Sequence, residues 1–292
     1  MKFIQKAVEQ TKEPVSLIAL LHERLGGYRK GRGFTNIHAS ALMSDTQFCP
    51  REVALIDLLK IKPKDQYIPP ALQVTFDQGE SLHNLARNKW LKDLAVGSWS
   101  CPHCGYKIKF SKFPKVSCKV CGDKNWQYTE EVFVSQTCKA SGSIDILLDV
   151  AQPKLMVTEV KTMDKDEFKK LVAPLAEHRL RTNFYMWLIQ DSDDPNRHNI
   201  NPEMAKVLYI SKAFGTKNGD SGITPFKEFD VKYEPDCLKP YIERASIVKN
   251  FRELGIMPER ICPTSFVPRV KQCACPKDCW GNQFMPGIKV TA

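Results

Sequence analysis

The sequence predicts an α/β protein in which helices pack on a small central mixed sheet. Apolar residues recur at helical spacing in Val15–Leu25, in Arg51–Leu59 and from about Gln78 to Leu94. Alternating, strand-like runs then fill Glu131–Ser135, Ser143–Val150 and Leu155–Lys161. Helical signals return over Lys165–Gln190 and residues 237–254, enclosing further strands at Lys206–Ser211 and Phe226–Tyr233. Helices before and after a few strands are the order of one α/β core with helices laid against it.

Each element carries a local reason. Gly26, Gly27, Gly31 and Gly33 mark a loop with a basic patch at Arg29, Lys30 and Arg32. Three prolines in residues 63–70 make a connection, and the polar stretch 191–202 reads as a loop. In the helix that follows residue 70, Leu82, Leu85, Ala86, Trp90 and Leu94 form an apolar stripe with His83 beside it. Gln152 and Pro153 turn the chain between two strands, so Ser143–Val150 and Leu155–Lys161 read as a hairpin. Residues 98–128 interrupt the pattern and read as an insertion. The expected parts are a helical N-terminal part (1–97), the insertion (98–128), a core (129–261) and a cysteine-rich tail (262–292).

Composition narrows the class. In 292 residues, Lys and Arg outnumber Asp and Glu by 43 to 33, and a surface of that sign attracts polyanions, nucleic acid first among them. The plainer reading is that the charge only keeps the protein in solution. Phe3 and Ile4 are followed at once by charged residues, so no signal peptide is expected and a cytoplasmic location is (the host's cytoplasm for a phage-encoded chain). Eleven cysteines in such a compartment point to metal before disulfides.

The central constellation is Gly142-Ser143-Ile144-Asp145, a turn, then Glu159-Val160-Lys161. Strand side chains alternate, so Glu159 and Lys161 emerge on one side, and a hairpin brings Asp145 to the same place. Two carboxylates and an ammonium together are costly unless a hard cation such as Mg²⁺ or Mn²⁺ joins them. Such an ion polarises a phosphate oxygen and acidifies a bound water, and the lysine can serve that water and offset transition-state charge. Alone, a Glu-x-Lys pair or an Asp beside a turn is usually structural; the combination is more specific.

Cys101-x2-Cys104-x13-Cys118-x2-Cys121, each pair followed by glycine, is the spacing of two metal knuckles closing a Cys₄ zinc ribbon. Six lysines (107, 109, 112, 115, 119 and 124) decorate it, as a nucleic-acid contact or as a merely solvated face. His103 is read as a bystander. The second set is Cys262-x10-Cys273-x-Cys275-x3-Cys279, with Cys49 far upstream; thiolate sites suit either zinc or iron–sulfur. Cys138 and Cys237 read as ordinary thiols.

Gly-x-Ile-Asp followed by Glu-Val-Lys resembles the PD-(D/E)XK nuclease superfamily in its RecB-like branch, which includes phage exonucleases, mitochondrial genome-maintenance exonucleases and CRISPR adaptation nucleases. The resemblance runs from about residue 38 to 280. It implies a restriction-endonuclease-like core with an inserted Cys₄ ribbon, and a metal-dependent deoxyribonuclease acting on DNA ends or single strands. It also implies that His83, in Gln78-Gly79-Glu80-Ser81-Leu82-His83, joins Asp145 and Glu159 as a metal ligand beside the catalytic Lys161. The helix with His178, Arg181 and Tyr185 resembles the branch's Gln-x-x-x-Tyr motif, with Arg181 standing where the glutamine belongs; Arg181 and Tyr185 are then substrate-binding candidates. Val207–Lys212 resembles a late strand of the phage members. In iron–sulfur members one cysteine precedes the core and three follow it, which implies a 4Fe–4S cluster on Cys49, Cys262, Cys273 and Cys279, with Cys275 as an alternative and a second zinc still open. Phe184 and Trp187, with Tyr185, are candidates for stacking on bases. A helicase, recombinase or replication protein is the partner such an enzyme would have. Two other readings stay open: a non-catalytic zinc-ribbon scaffold on a nuclease fold, and a CRISPR-type factor that trims DNA.

Overall fold

Prolines open three of the longer elements, because the first turn of a helix has no use for their missing N–H. Pro50 starts one helix, Pro70 another, and Pro240 lies in the first turn of a third. The computed structural model describes residues 16–29, 36–43, 48–62, 65–212, 224–265, 267, 269–270 and 273–281. Lys30 and Arg32 of the basic loop fall outside them.

Along the chain come α1 (Leu17–Leu25), β1 (Gly27–Arg29), β2 (Ile37–His38), α2 (Ala39–Leu42), α3 (Pro50–Leu59), β3 (Gln66–Ile68) and α4 (Pro70–Leu85). Strands β4 (Ala95–Ser100), β5 (Lys107–Lys112), β6 (Gln127–Thr129), β7 (Glu131–Val134), β8 (Ala140–Ile144), β9 (Ile146–Leu148) and β10 (Leu155–Met163) follow. Then come α5 (Lys165–Lys170), α6 (Ala176–Asp191), β11 (Ile200–Ser211), β12 (Phe226–Lys232), α7 (Lys239–Leu254) and α8 (Pro276–Trp280).

The central sheet is mixed, in the order β12-β11-β10-β9-β4-β5, with β6 also on β4. Only β10 and β11 run parallel in it; the other pairs are antiparallel. A second sheet, β2-β8-β7, lies beside it. The expected hairpin forms, with Met156 opposite Leu148 and Thr158 opposite Ile146. Its first arm is not one strand, however. The run expected over Ser143–Val150 breaks at Asp145, with β8 in the small sheet and β9 in the central one.

Other expectations shift for identifiable reasons. The helix expected over Lys165–Gln190 is two. Asp164 caps the first through Asp166 N at 2.9 Å, Leu171 is extended, and the second starts after Leu175, whose N–H donates to the Tyr209 hydroxyl at 2.9 Å. The helix expected over Gln78–Leu94 starts earlier, at Pro70, and ends in a wide turn over Ala86–Trp90. That turn rotates the apolar stripe out of register, so only Ala86 is buried while Leu85, Trp90 and Leu94 stay exposed. β11 begins at Ile200, inside the segment expected to be a loop, because its pairing with β10 and β12 overrides the polar Asn201 and Pro202. Residues 66–68 form a short strand on β1 within the expected connection.

Two cores result. One lies between the sheets and helices α6 and α7, built on Phe133, Ile144, Leu147, Val157, Phe184, Leu188 and Val207. The other packs Trp99, Trp126 and Tyr128 against Ile146, Val160 and Ile210. Phe184 is therefore core and its ring is not open to a base, and half-buried Trp187 packs on it with ring centroids 5.1 Å apart. No helix among the described residues is long and apolar enough to cross a membrane.

Gly142 shows how tightly α6 is seated on the small sheet. A Cβ there would lie 2.8 Å from Leu188 Cδ1 and from the Tyr185 ring. Gly142→Ala is expected to lower stability by about 1–3 kcal/mol, as overpacked core positions do, measured as a lower urea midpoint at unchanged slope.

Candidate active site and metal centres

Asp145 is the single residue between β8 and β9. Where β9 stops covering β10, the N–H of Val160 loses its strand partner and donates to Asp145 Oδ2 at 2.8 Å. The carboxylate is thereby fixed at the edge where the sheets part. Side chains alternate along the strand, so Glu159 and Lys161, on either side of Val160, lie on the face opposite to it, where α6 packs. The Lys161 ammonium pairs with Glu159 Oε1 and lies 3.9 Å from Asp145 Oδ2.

Helix α4 approaches β10 closely, since a Cβ on Gly79 would stand 3.3 Å from Thr162 Oγ1. One turn later His83 Nδ1 comes within 4.0 Å of Asp145 Oδ2. From α6, Arg181 NH1 reaches to 3.8 Å of Glu159 Oε1. Tyr185, four residues on, lines the same cavity of about 470 Å³ together with His38, Glu130, Ser143, Asp145, Glu159, Lys161 and Arg181. The structure thus brings together Asp145, Glu159, Lys161, His83, Arg181 and Tyr185, although His83 approaches Asp145 from outside the cavity lining.

The electrostatics are those of a crowded acidic pocket. Glu159 is 1% exposed, and its Oε2 has no hydrogen-bond partner. Burial, and then the charge of Asp145, push its carboxyl above the usual range, while Lys161 and Arg181 pull the other way. Burial pushes His83 down, leaving the neutral imidazole that a metal ligand needs. A buried carboxylate oxygen without a donor, next to a second carboxylate and a neutral imidazole, is a donor set that fits a divalent cation. At present the Lys161 ammonium supplies the positive charge, and the three ligand groups stand wider than the 4.8 Å mutual spacing that the ribbon cysteines meet.

His38, Ser143 and Glu130 were not anticipated. Ser143 lies inside the Gly-Ser-Ile-Asp run, and strand parity with Asp145 could have flagged it. His38 sits on a two-residue strand beside β8, for which the sequence holds no signal.

The ribbon cysteines are assembled. Cys101 and Cys121 sulfurs are 3.5 Å apart, as are those of Cys104 and Cys118, and all four lie within 4.8 Å of one another. Each knuckle closes alike: Gly105 N donates to Cys101 O at 2.9 Å and Gly122 N to Cys118 O at 2.8 Å, both glycines at positive φ. The group could bind a metal ion such as zinc. Its strands β4, β5 and β6 belong to the central sheet, so the ribbon grows out of the sheet's end. Among its lysines, Lys112 pairs with Asp149 at 2.6 Å and Lys119 lies over the Tyr106 ring.

The C-terminal cysteines pack against α3, where Leu55 and Ile56 meet Val270, Cys275, Cys279 and Trp280, with Cys262 and Cys273 partly buried beside them. Glu52 accepts Ala274 N at 2.6 Å and Arg51 donates to Pro258 O at 2.8 Å, tying the tail to the helix that Cys49 caps. Burial and the neighbouring Glu52 and cysteines push the Cys273 and Cys275 thiols up to about 12, with Cys49 among the groups acting on Cys275. No three of these sulfurs approach within the 4.8 Å that the ribbon set achieves.

No family model and no curated protein matches the chain. Solved structures with a similar course of the chain include SSO0001, at 15% identity and TM-score 0.35, covering 88% of this chain and 90% of that one. LHK-Exo in complex with dAMP matches at 11% identity and TM-score 0.40, over 75% of this chain and 89% of that one. A phage-related exonuclease from Haemophilus somnus 129PT matches at 12% and 0.34, over 77% and 94%. Likenesses this loose leave the chemistry to the side chains themselves.

His178 gives the site a measurable pH signature. Its Nδ1 meets the Tyr209 hydroxyl at 2.9 Å, and burial, Lys161 and Arg181 push its pKa down to about 4. A folded value below the unfolded one, about 6.5, stabilises above pH 6.5, and the contribution is lost as the unfolded chain takes up the proton below it. Wild type is expected to lose about 1–2 kcal/mol between pH 7 and 5 through this group, and His178→Gln to lose less, compared by urea midpoints at the two pH values.

Proposed function

We propose that the chain is a divalent-metal-dependent DNA nuclease of the PD-(D/E)XK type, in the RecB-like branch. The observation that carries the reading is the convergence of Asp145, Glu159 and Lys161 at the sheet's parting, with an unsatisfied, buried Glu159 oxygen facing the cavity. Asp145, Glu159 and His83 would hold Mg²⁺ or Mn²⁺. When bound, the ion supplies Lewis acidity and lowers the pKa of a water ligand.

The chain's own groups have distinct tasks. Asp145 is held rigid by the Val160 N–H, so it presents its free oxygen in one direction. Lys161, able to shift from Glu159 when a cation takes that place, can orient the attacking water and offset charge gathering on the phosphate. Arg181 has a Nε that is buried without a partner and a guanidinium edge open to the cavity, a good match for a phosphate oxygen. That suits the arginine to the place the branch gives to glutamine. The net charge of +10 favours a polyanionic substrate, DNA ends or single strands.

Zinc belongs in the ribbon in this reading. For the tail, a 4Fe–4S cluster on Cys49, Cys273, Cys275 and Cys279 is favoured over a second zinc. A cluster carries each thiolate on a separate iron and tolerates wider sulfur spacing than one tetrahedral ion. Cys275, fully buried and acted on by Cys49 and Cys279, is the better fourth ligand than Cys262. A partner helicase, recombinase or replication protein, and a phage or CRISPR setting, remain part of the proposal; a scaffold without activity is its rival.

End-labelled single- and double-stranded DNA with Mg²⁺ or Mn²⁺ tests the activity. Cleavage by wild type is expected, with a loss of at least about 100-fold in Asp145→Ala and Lys161→Ala, the scale seen when an electrostatic catalytic group is removed. Equal cleavage by all three would sink the site, and no cleavage by wild type would favour the scaffold. Anaerobically purified protein is expected to absorb near 400 nm with one zinc per chain, the absorbance falling in Cys275→Ser but not in Cys262→Ser. A colourless sample with two zincs removes the cluster.

A further inference from the structure

The cysteine ribbon differs in charge from the rest of the chain. Residues 98–128 hold six lysines against one acid, Asp123, a net +5 of the chain's +10. Asp123 is engaged within the ribbon, accepting Asn125 N at 2.9 Å and Asn125 Nδ2 at 2.8 Å. A zinc ion on four thiolates contributes a net negative charge of two, so the lysines still set the sign. Lys112 pairs with Asp149, and Lys119 lies over Tyr106. Lys107, Lys109, Lys115 and Lys124 are exposed and pair with no acid among the described residues.

We propose that this lysine face is a clamp on the backbone of duplex DNA, holding the double-stranded arm of a substrate whose end lies in the cavity. The proposal rests on the reading of the cavity as a nuclease site and adds the form of DNA that reaches it.

Placement is the first support. Trp99 and Ile108 are register partners on β4 and β5 and pack in the same core as Val160. Side chains alternate, so Lys107 and Lys109, flanking Ile108, lie on the opposite face of the sheet, the face of Glu159 and Lys161. Strand order puts β9 and β4 between β10 and β5. Three steps of about 4.8 Å set the lysines about 15 Å from the acids, roughly five base pairs along a duplex. β6 joins the two places directly, running from beside Trp126 in the ribbon to Glu130 at the cavity.

An edge strand can carry lysine simply to prevent edge-to-edge pairing. The opposite edge of the same sheet shows the form this takes here. β12 carries both signs, as Lys227, Glu228, Asp230 and Lys232, and Lys206 of β11 pairs with Glu228 and Asp230. β5 carries lysine alone. Blocking an edge needs no such bias, whereas neutralising a row of phosphates does.

The aromatic rings decide between a duplex and a single strand. Single-strand sites combine a basic groove with rings on which bases stack. Here Trp99, Trp126 and Tyr128 are buried, and Phe110 packs against the core of Phe133 and Ile144. Tyr106 and Phe113 lie beneath Lys119 and Lys92, each ammonium 4.9 Å from the ring centre. The face offers charge and no open ring, which suits contacts to the phosphates along the outside of a duplex.

The test is binding of a labelled duplex oligonucleotide, and of one of its strands, to the zinc-loaded full chain without Mg²⁺ or Mn²⁺. Lys107→Gln with Lys109→Gln and Lys115→Gln is expected to weaken duplex binding about tenfold and to lower the slope of log affinity against log salt by about 3. Single-strand binding is expected to change less than about threefold. Lys62→Gln with Lys154→Gln and Lys232→Gln removes the same charge elsewhere and is expected to leave duplex binding within about threefold of wild type. In the unaltered protein, duplex is expected to protect Lys107, Lys109 and Lys115 from acetylation read by mass spectrometry, and single strand is not. That arm does not depend on how the variants fold. Duplex binding unchanged in the ribbon variant, or reduced equally in the control variant, overturns the clamp. So does an equal loss for the single strand, acetylation unchanged by duplex, or wild type that binds only the single strand; each leaves the nuclease reading standing. Wild type that binds neither form removes the nuclease reading with it.

Discussion

The Val160 N–H lies where two sheets diverge, and a backbone donor buried at such a point must be paired or cost roughly what a lost hydrogen bond costs. Asp145 Oδ2 pairs it at 2.8 Å. This one bond lets β8 leave for the small sheet while β9 stays on β10, and the wedge between them becomes the cavity. It also explains why the acid at this position is rigid. Its carboxylate replaces a strand, so its direction is set by the backbone of β10 and not by a rotamer choice on the surface.

The wedge is closed from two sides by helices whose seats depend on small residues. α6 presses Tyr185 and Leu188 onto the backbone of Gly142, bringing Arg181 and Tyr185 over Glu159. α4 touches β10 at Gly79 and Thr162, bringing His83 to Asp145. The motif glycine is therefore a packing requirement, and the motif acid a backbone cap, before either has any chemistry. Burying Glu159 among these groups is unfavourable for a lone carboxylate, and Lys161 and Arg181 moderate it. The cavity therefore gathers buried acids and the basic groups that offset them in one place.

The cysteine centres are stapled to this frame in different ways. The ribbon shares β4 with the central sheet, and Trp99 of that strand lies in the same core as Ile146 and Val160, so order in the knuckles and order in the sheet are linked. The tail is joined to α3 through Glu52, Arg51 and an apolar seam, far along the sequence from its partners. Metal in either place would act on folding through those contacts.

By itself the sequence determined what depends on near neighbours. Helical and alternating periodicity located most elements, the Gln152-Pro153 turn placed Glu159 and Lys161 opposite the arm that ends in Asp145, and Cys-x2-Cys spacing with trailing glycines specified the knuckles, because each involves residues a few positions apart. It could not tell that the arm breaks at Asp145, that the apolar stripe of α4 rotates out at Ala86, or that Phe184 is core. Nor could it bring in Glu130, Ser143 and His38. Those depend on which strand edges run out of partners and which helix faces meet across the fold, where pairing register and close packing override local preference. Asp145, Glu159 and Lys161 were legible as a candidate set; that they meet at the parting of two sheets, beside a third acid, only the tertiary structure decided.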